Sequence, residues 1–190
     1  MVERRDLPLF AWGETLRAAR RRRRNLQRRT SVVALGCACV VATIVAPPLP
    51  RLVWNASASA PVGLYWVRPG ARIVTGNTVI AWTPAPVRRL AAERRYVPLN
   101  VPLVKRVAGV EGDRICAIGA TILVNHRKVA TRRVSDGQGR PMPWWSGCWT
   151  LGEGEYFLLM PDVADSFDGR YFGVAEQADV IGRAQLLWAR

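Results

Sequence analysis

Apolar and charged positions divide this chain into a polar N-terminal stretch, one long uncharged stretch and a longer mixed region. Residues 30–50 (TSVVALGCACVVATIVAPPLP) carry no charge, and an arginine-rich stretch from Arg17 to Arg29 directly precedes them. A helix over residues 30–46 rises about 25 Å, slightly less than the roughly 30 Å hydrocarbon core of a bilayer. The prolines between residues 47 and 50 then end the helix, because proline lacks an amide donor. The pattern predicts one membrane-spanning segment over residues 30–50.

Residues 51–190 show short apolar stretches separated by glycine, proline, asparagine and aspartate. Examples are GLYWV, NTVIAW, ATILVN and GEYFLLM, with turn sequences such as RPGAR, EGD and SDGQGRP between such stretches. Runs of this length, rich in Val, Ile, Leu and aromatic residues, are typical of strands. We therefore expect an all-β domain with one short surface helix, over Val87–Tyr96.

The charge distribution predicts how the chain is oriented. Residues 1–30 hold ten arginines and three acidic residues within a chain of net charge +14. Basic residues beside a span stay in the cytoplasm, so we expect a cytoplasmic tail (1–29), a transmembrane segment (30–50) and an exported domain (51–190). Two alternatives remain open: the arginines bind nucleic acid or anionic lipid, or the N-terminal segment is a secretory signal cleaved near ASASA, at residues 56–60.

The cysteine and histidine content bears on disulfides and metals. Cys37 and Cys39 lie in the uncharged stretch, whereas Cys116 and Cys148 lie in the exported domain. A pair of cysteines in an oxidising compartment favours one disulfide, worth about 3 to 4 kcal/mol. With one histidine, His126, and no C-x-x-C sequence, we expect no metal, and no cofactor-binding motif is present.

A lysine in one of the apolar stretches is unusual for a chain of this composition. The chain has 26 arginines but only two lysines, Lys105 and Lys128. Lys105 lies in the apolar stretch VPLVKRVAGV, and alternation along a strand directs Lys105 and Arg106 to opposite faces. A buried lysine can lose its proton and become a base, which arginine cannot do. The alternative is a lysine that extends to solvent from a sheet edge.

A second candidate segment follows the uncharged stretch. Ser57 and Ser59 in NASASAPVGLYW are two residues apart, so an extended chain places them on one face. A serine nucleophile needs a base and an oxyanion donor, and a neighbouring hydroxyl can be that donor. Taken alone, the segment also fits a polar linker next to the membrane.

Three motifs in order give this chain a resemblance. SASAPVGLY, LVKRVAGVEGDRI and DSFDGRYFG resemble the motif set of the serine-lysine signal peptidases, and most of all the TraF-type peptidases of conjugative transfer systems. The resemblance implies a mainly β fold: a signal-peptidase-like antiparallel β-sheet catalytic domain after a single N-terminal transmembrane helix. It also implies these roles: nucleophile, Ser59; general base, Lys105; oxyanion donor, Ser57; hydrogen bond to the lysine, Ser166; charged pair beside the site, Asp168 and Arg170.

The chain departs from the family pattern at two places. Gly169 stands where the family usually has a serine, and Pro161–Asp162 stands near the place of a Gly-Asp pair. Neither departure touches the serine or the lysine. Both concern the residues that support them.

The resemblance also implies a function and a location. We expect a serine endopeptidase of the bacterial inner membrane, with its catalytic domain in the periplasm, that cleaves an exported, membrane-tethered precursor such as a conjugative pilin subunit. Release of the cleaved product as a linear chain or as a cyclic one stays open. The expected partners are this precursor and the lipid bilayer, without nucleic acid. The alternatives are a general type I signal peptidase and a non-catalytic anchored subunit of a secretion complex. The tryptophans of PMPWWSGCW fit either the headgroup level of a membrane or core packing.

Overall fold

The N-terminal unit consists of one long helix. The structure, a computed structural model, describes residues 8–46 and 49–190, and the chain divides after residue 48 into two units. Helix α1 spans Pro8–Val45. Its stretch Trp12–Val45 is long and apolar enough to cross a membrane. The prolines at 47 and 48 that were expected to end the helix lie outside the described residues, as do the first seven residues of the predicted tail.

Helix α1 begins much earlier than the sequence pattern indicated. It is continuous over 38 residues, so the arginine-rich stretch and the uncharged stretch form one helix rather than a tail followed by a helix. Alanine, leucine and arginine are among the strongest helix formers, and the arginine-rich stretch contains no glycine or proline. The change in polarity near residue 30 is therefore not a change in backbone structure.

The C-terminal unit, Leu49–Arg190, is mainly antiparallel β-sheet, as the sequence predicted. A seven-stranded sheet has the order β1-β2-β11-β3-β4-β9-β10, and a four-stranded sheet the order β7-β6-β5-β8. Every strand pair is antiparallel. The elements are β1 (Leu52–Asn55), β2 (Gly63–Arg68), β3 (Thr78–Ala81), α2 (Ala85–Glu93), β4 (Leu103–Gly109), β5 (Arg114–Ile118), β6 (Thr121–Val124), β7 (Arg127–Thr131), β8 (Gly147–Thr150), β9 (Glu155–Leu159), α3 (Gly169–Phe172), β10 (Val174–Glu176) and β11 (Val180–Ala189).

The core follows the alternation of the strands. In β2, Tyr65 and Val67 are buried and the residues between and after them are not, which is the period of two expected for a sheet with one covered face. Ile115 and Ile122 of the four-stranded sheet pack in one cluster with Phe157 and Leu159 of β9. The two sheets therefore share a core at β9.

Helix α2 is present, with bounds shifted from those predicted. It runs from Ala85 to Glu93, two residues earlier than expected, because Pro86 fits the first turn of a helix. It ends before Tyr96, since Arg95 has a positive φ of 60°. Tyr96 instead turns its ring toward Phe167, with ring centroids 5.1 Å apart.

The structure joins Cys116 and Cys148 by a disulfide. The two residues are direct partners in the register of β5 and β8, and β8 is the outer strand of its sheet. The bond therefore fixes an edge strand to its neighbour. Cys37 and Cys39 of α1 are not bonded to each other.

Candidate active site

Asn55 organises the loop that carries the two serines. It is the last residue of β1 and is buried. Its side-chain amide donates to the carbonyls of Ser57, Ala60 and Pro61 at 3.0 to 3.1 Å, and its side-chain oxygen accepts from the Ser57 amide at 3.0 Å. One side chain thus satisfies four backbone groups of a loop without regular structure of its own. The sequence argument missed Asn55, although a polar residue at the end of an apolar strand is a signal that was available.

The remaining motif residues hold the far side of this loop. The Tyr65 hydroxyl donates to the Pro61 carbonyl at 2.8 Å, and burial raises the pKa of Tyr65, which keeps the phenol protonated as a donor. Gly63 lies against the Trp188 carbonyl of β11, where a Cβ atom has no room. Gly63 and Tyr65 of the SASAPVGLY motif therefore each have a structural task, and the Pro61 carbonyl is the acceptor of the Tyr65 hydroxyl.

The two serines are within hydrogen-bond distance of each other. The Oγ atoms of Ser57 and Ser59 are 2.9 Å apart, and the Ser59 amide donates to Ser57 Oγ at 3.2 Å. The Ser57 hydroxyl, which was predicted as the oxyanion donor, and the Ser59 amide thus face each other at one point of the loop. To donate to a substrate oxygen together, the Ser57 hydroxyl must rotate away from Ser59.

Lys105 lies on the buried face of β4, and Arg106 on the exposed face. The Lys105 side chain is 1% exposed. Its Nζ donates to Ser59 Oγ at 3.2 Å and to Ser166 Oγ at 2.7 Å. Among the described residues, none of the ion pairs includes Lys105. The structure therefore brings Ser59, Lys105 and Ser166, which are far apart in sequence, to one point.

The electrostatics lower the pKa of Lys105 and make its neutral form accessible. Burial lowers the pKa of Lys105 from 10.5 to about 8; the carboxylate of Asp168 opposes this decrease and the guanidinium of Arg170 adds to it. Desolvation is the largest of these effects, because the charged amine loses its water on burial. A useful fraction of Lys105 is thus unprotonated near neutral pH.

Asp168 and Arg170 form a buried ion pair next to this lysine. Arg170 donates to the Asp168 carboxylate through Nε at 2.9 Å and Nη2 at 2.8 Å. The pair also ties the backbone together: Asp168 accepts from the Met160 amide at 3.0 Å, and Arg170 donates to the Met160 and Val163 carbonyls at 2.8 and 2.7 Å. Because all these partners are satisfied, the pair holds the loop that presents Ser166.

The structure explains the departure at Gly169. A Cβ atom at this position would lie 2.7 Å from both the Leu158 carbonyl and the Phe157 ring. A serine here therefore requires the α3 segment to move from β9. The other departure is peripheral, since Asp162 is largely exposed and lies 3.9 Å from Arg106.

A cleft of about 890 Å³ contains the site. It is lined by the loop after β1, the start of β4 and the segments around Tyr96, Asp136 and Asp165. Ser57, Ser59, Lys105 and Ser166 all line it. His126, in the turn between β6 and β7, and the Cys116–Cys148 disulfide are not among its lining residues.

Comparison with known proteins assigns this chain to a family. Residues 24–189 match the family described as signal peptidase, peptidase S26, and the chain therefore belongs to this family. The plasmid transfer protein TraF of Escherichia coli is 35% identical over 177 residues, covering 86% of this chain and 99% of that protein. The probable conjugal transfer protein TraF of Sinorhizobium fredii (strain NBRC 101917 / NGR234) is 32% identical over 144 residues, covering 69% and 73%.

These relatives confirm that the chain is a TraF-type member of the family, as its motifs indicated. Among solved structures, a signal peptidase I from Enterococcus faecalis V583 covers 60% of this chain and 97% of its own. The identity of the two is 19% and the TM-score 0.35.

Proposed function

We propose that the protein is a membrane-anchored serine endopeptidase in which Ser59 is the nucleophile and Lys105 the general base. The observation that supports this most directly is the 3.2 Å contact between Lys105 Nζ and Ser59 Oγ in a buried setting. Membership of the signal peptidase family supports a peptidase-like role. The contact between Lys105 and Ser59 is the reason for proposing these two residues for that role.

The proposed reaction begins with neutral Lys105. Its amine takes the Ser59 proton while Ser59 Oγ forms a bond to the carbonyl carbon of the scissile peptide. The Ser59 amide and the Ser57 hydroxyl donate to the resulting oxyanion. Protonated Lys105 then gives its proton to the leaving amine nitrogen as the C–N bond breaks, which leaves an acyl-enzyme and restores the neutral base.

The second half of the reaction releases the acyl group. Water, or an amine of the substrate chain, attacks the acyl carbonyl, Lys105 takes the proton of the attacking group, and Ser59 Oγ leaves and is reprotonated. Ser166, at 2.7 Å from Lys105 Nζ, orients the amine in both halves. Attack by the substrate's own amino terminus gives a cyclic product, and attack by water a linear one.

The substrate that we propose is an exported precursor tethered to the membrane, of the conjugative pilin class. The relatives named plasmid transfer protein and conjugal transfer protein support this choice over a general preprotein peptidase. We further propose that residues 1–29 are cytoplasmic, that residues 30–50 cross the bacterial inner membrane once, and that residues 51–190 act in the periplasm.

A burst assay with an activated ester tests the dyad. The p-nitrophenyl ester of N-acetylalanine acylates a nucleophilic serine and releases nitrophenolate, and mass spectrometry locates the acyl group. We expect acylation of Ser59 in the wild type, none in Ser59→Ala, and a loss of at least about 100-fold in Lys105→Arg, because a guanidinium cannot be a neutral base.

Matched control variants distinguish a specific loss of acylation from a general loss of structure. Lys128→Arg makes the same change at the other lysine, which is exposed on β7, and Ser146→Ala removes an exposed serine; both should acylate at the wild-type rate. Substantial acylation in folded Lys105→Arg protein would contradict the proposal and favour the non-catalytic subunit.

A further inference from the structure

The short helix α3 is held on two sides. On one side Gly169 lies directly against the Leu158 carbonyl and the Phe157 ring of β9. On the other side Trp145 Nε1 donates to the Gly169 carbonyl at 3.0 Å. The Trp145 ring also packs edge-on against Phe157, with centroids 6.2 Å apart. Because α3 directly follows Ser166 and Asp168, these contacts fix the segment that faces Lys105.

Arg132 strengthens the same side, and its own setting is unusual. It is 2% exposed, yet none of the ion pairs within residues 8–46 and 49–190 includes it. Its guanidinium donates twice to the Gly119 carbonyl, at 3.1 and 2.9 Å, and reaches the Arg170 carbonyl at 3.5 Å. It also lies 3.5 Å from the centre of the Trp144 ring.

A buried guanidinium without a carboxylate is costly unless its donors are used. Here carbonyls and an aromatic face take the place of the counter-ion, and one of those carbonyls belongs to α3. The neighbouring residue contributes as well, since the Arg133 amide donates to the Tyr171 hydroxyl at 3.2 Å. The segment from Arg132 to Trp145 thus contacts α3 at three successive residues, from Gly169 to Tyr171.

We propose that Trp145, with Arg132 beside it, is a positioning residue for the Ser59–Lys105 pair: its indole N–H fixes α3 so that Ser166 keeps its hydrogen bond to Lys105 and the Asp168–Arg170 pair stays beside it. Trp145 is not a lining residue of the cleft and acts through α3. This inference rests on the proposed function.

The expected consequence is a change in the pH dependence. Burial is the main cause of the lowered Lys105 pKa, so loosening α3 admits water to the amine and raises that pKa. The charged groups around the amine are Asp168 and Arg170 at α3, with the Arg133–Asp165 pair and Asp136 farther along the cleft. Of these, only Asp168 and Arg170 affect the Lys105 pKa appreciably, and they act in opposite directions, so desolvation decides the sign.

Trp145→Phe in the full-length protein tests the inference, because it removes the donor and keeps an aromatic ring on Phe157. The measurement is the second-order rate constant of Ser59 acylation by the p-nitrophenyl ester of N-acetylalanine as a function of pH. We expect the midpoint to rise by about one pKa unit, which lowers the rate about tenfold below the midpoint and leaves the high-pH plateau nearly unchanged.

Trp149→Phe is the matched control, since Trp149 is exposed and its Nε1 donates only to the Glu155 side chain, at 3.1 Å. We expect its profile to be that of the wild type. If Trp145→Phe protein does not fold, β-(3-benzothienyl)alanine at position 145 keeps the bicyclic shape and replaces the N–H by sulfur. The same rise in the midpoint is expected for that variant.

Three outcomes would overturn the inference. A wild-type profile in the variant that lacks only the donor shows that the hydrogen bond does not act on Lys105. An equal decrease at every pH with an unchanged midpoint shows a merely structural role. Both leave the proposed function intact, whereas absence of Ser59 acylation in the wild type overturns the proposed function and this inference together.

Discussion

The burial of Lys105 gives a physical reason for a lysine at this position in a chain that has 26 arginines and only one other lysine, Lys128. A buried guanidinium stays charged and must find a counter-ion or several carbonyls, as Arg170 and Arg132 do. A buried amine has another way to avoid the cost of desolvation, which is to lose its proton. Its two hydroxyl neighbours, Ser59 and Ser166, accept or donate equally well. The same burial that destabilises the charged form therefore favours the neutral amine that the proposed base requires.

This cost predicts a pH-dependent stability difference between Lys105→Met and the wild type. The Lys105 pKa is lowered from 10.5 to about 8, so between these values the unfolded chain binds a proton that the folded chain does not. Wild-type stability should therefore rise with pH across this window. Below this pH window the full cost of burying the charged amine applies. It is about 3 kcal/mol of unfolding free energy, which corresponds to the difference between pKa values of 10.5 and about 8.

Lys105→Met lacks this cost. In urea denaturation, the free energy of unfolding of Lys105→Met should exceed that of the wild type most at about pH 6. This difference should decrease as the pH rises through 8 toward 10.5. A difference that does not vary with pH would show that Lys105 has an ordinary pKa in the folded protein.

The sequence predicted the proposed reacting groups, and the family resemblance implied Ser166, Asp168 and Arg170 beside them, but neither predicted that Asn55 and Trp145 hold the surrounding segments. The spacing of Ser57 and Ser59 and the alternation at Lys105 are local patterns, and local patterns are readable. The four hydrogen bonds of Asn55 depend on how a loop closes on itself. The contact of Trp145 with Gly169 joins segments that are 24 residues apart. No periodicity encodes either arrangement.

The presence of strands was more predictable from the sequence than the order of the strands in the sheets. The apolar stretches and turn residues gave an all-β domain, because a half-buried strand needs alternation and a turn needs glycine or proline. The sheet order places β11 between β2 and β3, a pairing between the end and the beginning of the domain. Helix α1 was less predictable, because the change from arginine to apolar residues was interpreted as the start of a helix. The helix is continuous through this change in polarity.

The disulfide gives a prediction for the edge strand β8. Cys116 and Cys148 are separated by 32 residues, and closing a loop of that length in the unfolded chain is worth about 3 to 4 kcal/mol. The double variant Cys116→Ser/Cys148→Ser should lose that free energy of unfolding in urea denaturation under oxidising conditions. Reduction of the wild type with dithiothreitol should have the same effect, and should not change the double variant. Equal stability of the oxidised wild type and the double variant would contradict the bond.

The whole chain couples a helix that fits a membrane with a domain whose proposed nucleophile follows shortly after it. Ser59 is 14 residues beyond the end of α1 at Val45. A fully extended chain of 14 residues spans at most about 45 to 50 Å. Under the proposed function, a substrate tethered in the same bilayer meets such a site by diffusion in two dimensions. The proposed anchoring thus raises the local concentration of substrate without any contact with it.

The last prediction is the orientation of the chain in the membrane. Eight arginines lie in the stretch from Arg17 to Arg29, with no acidic residue among them, so the positive-inside rule predicts that this end stays in the cytoplasm. Single cysteines introduced as Gln27→Cys, beside the arginines, and Thr75→Cys, in an exposed turn of the β domain, report the two sides. Both are built in a chain with Cys37 and Cys39 replaced by alanine. In intact spheroplasts a membrane-impermeant maleimide should label Thr75→Cys only, and both variants should be labelled after lysis.

A second variant ties this orientation to the arginines. With the residues from Arg20 to Arg24 changed to glutamine, the excess of positive charge falls, and labelling of Gln27→Cys in intact spheroplasts should rise. The mass of the membrane-bound protein is measured in the same samples, because cleavage near residues 56–60 would release the domain from the membrane and leave Thr75→Cys in the soluble fraction. That result, or labelling of Gln27→Cys in the otherwise unchanged chain, would contradict an N-in anchored peptidase.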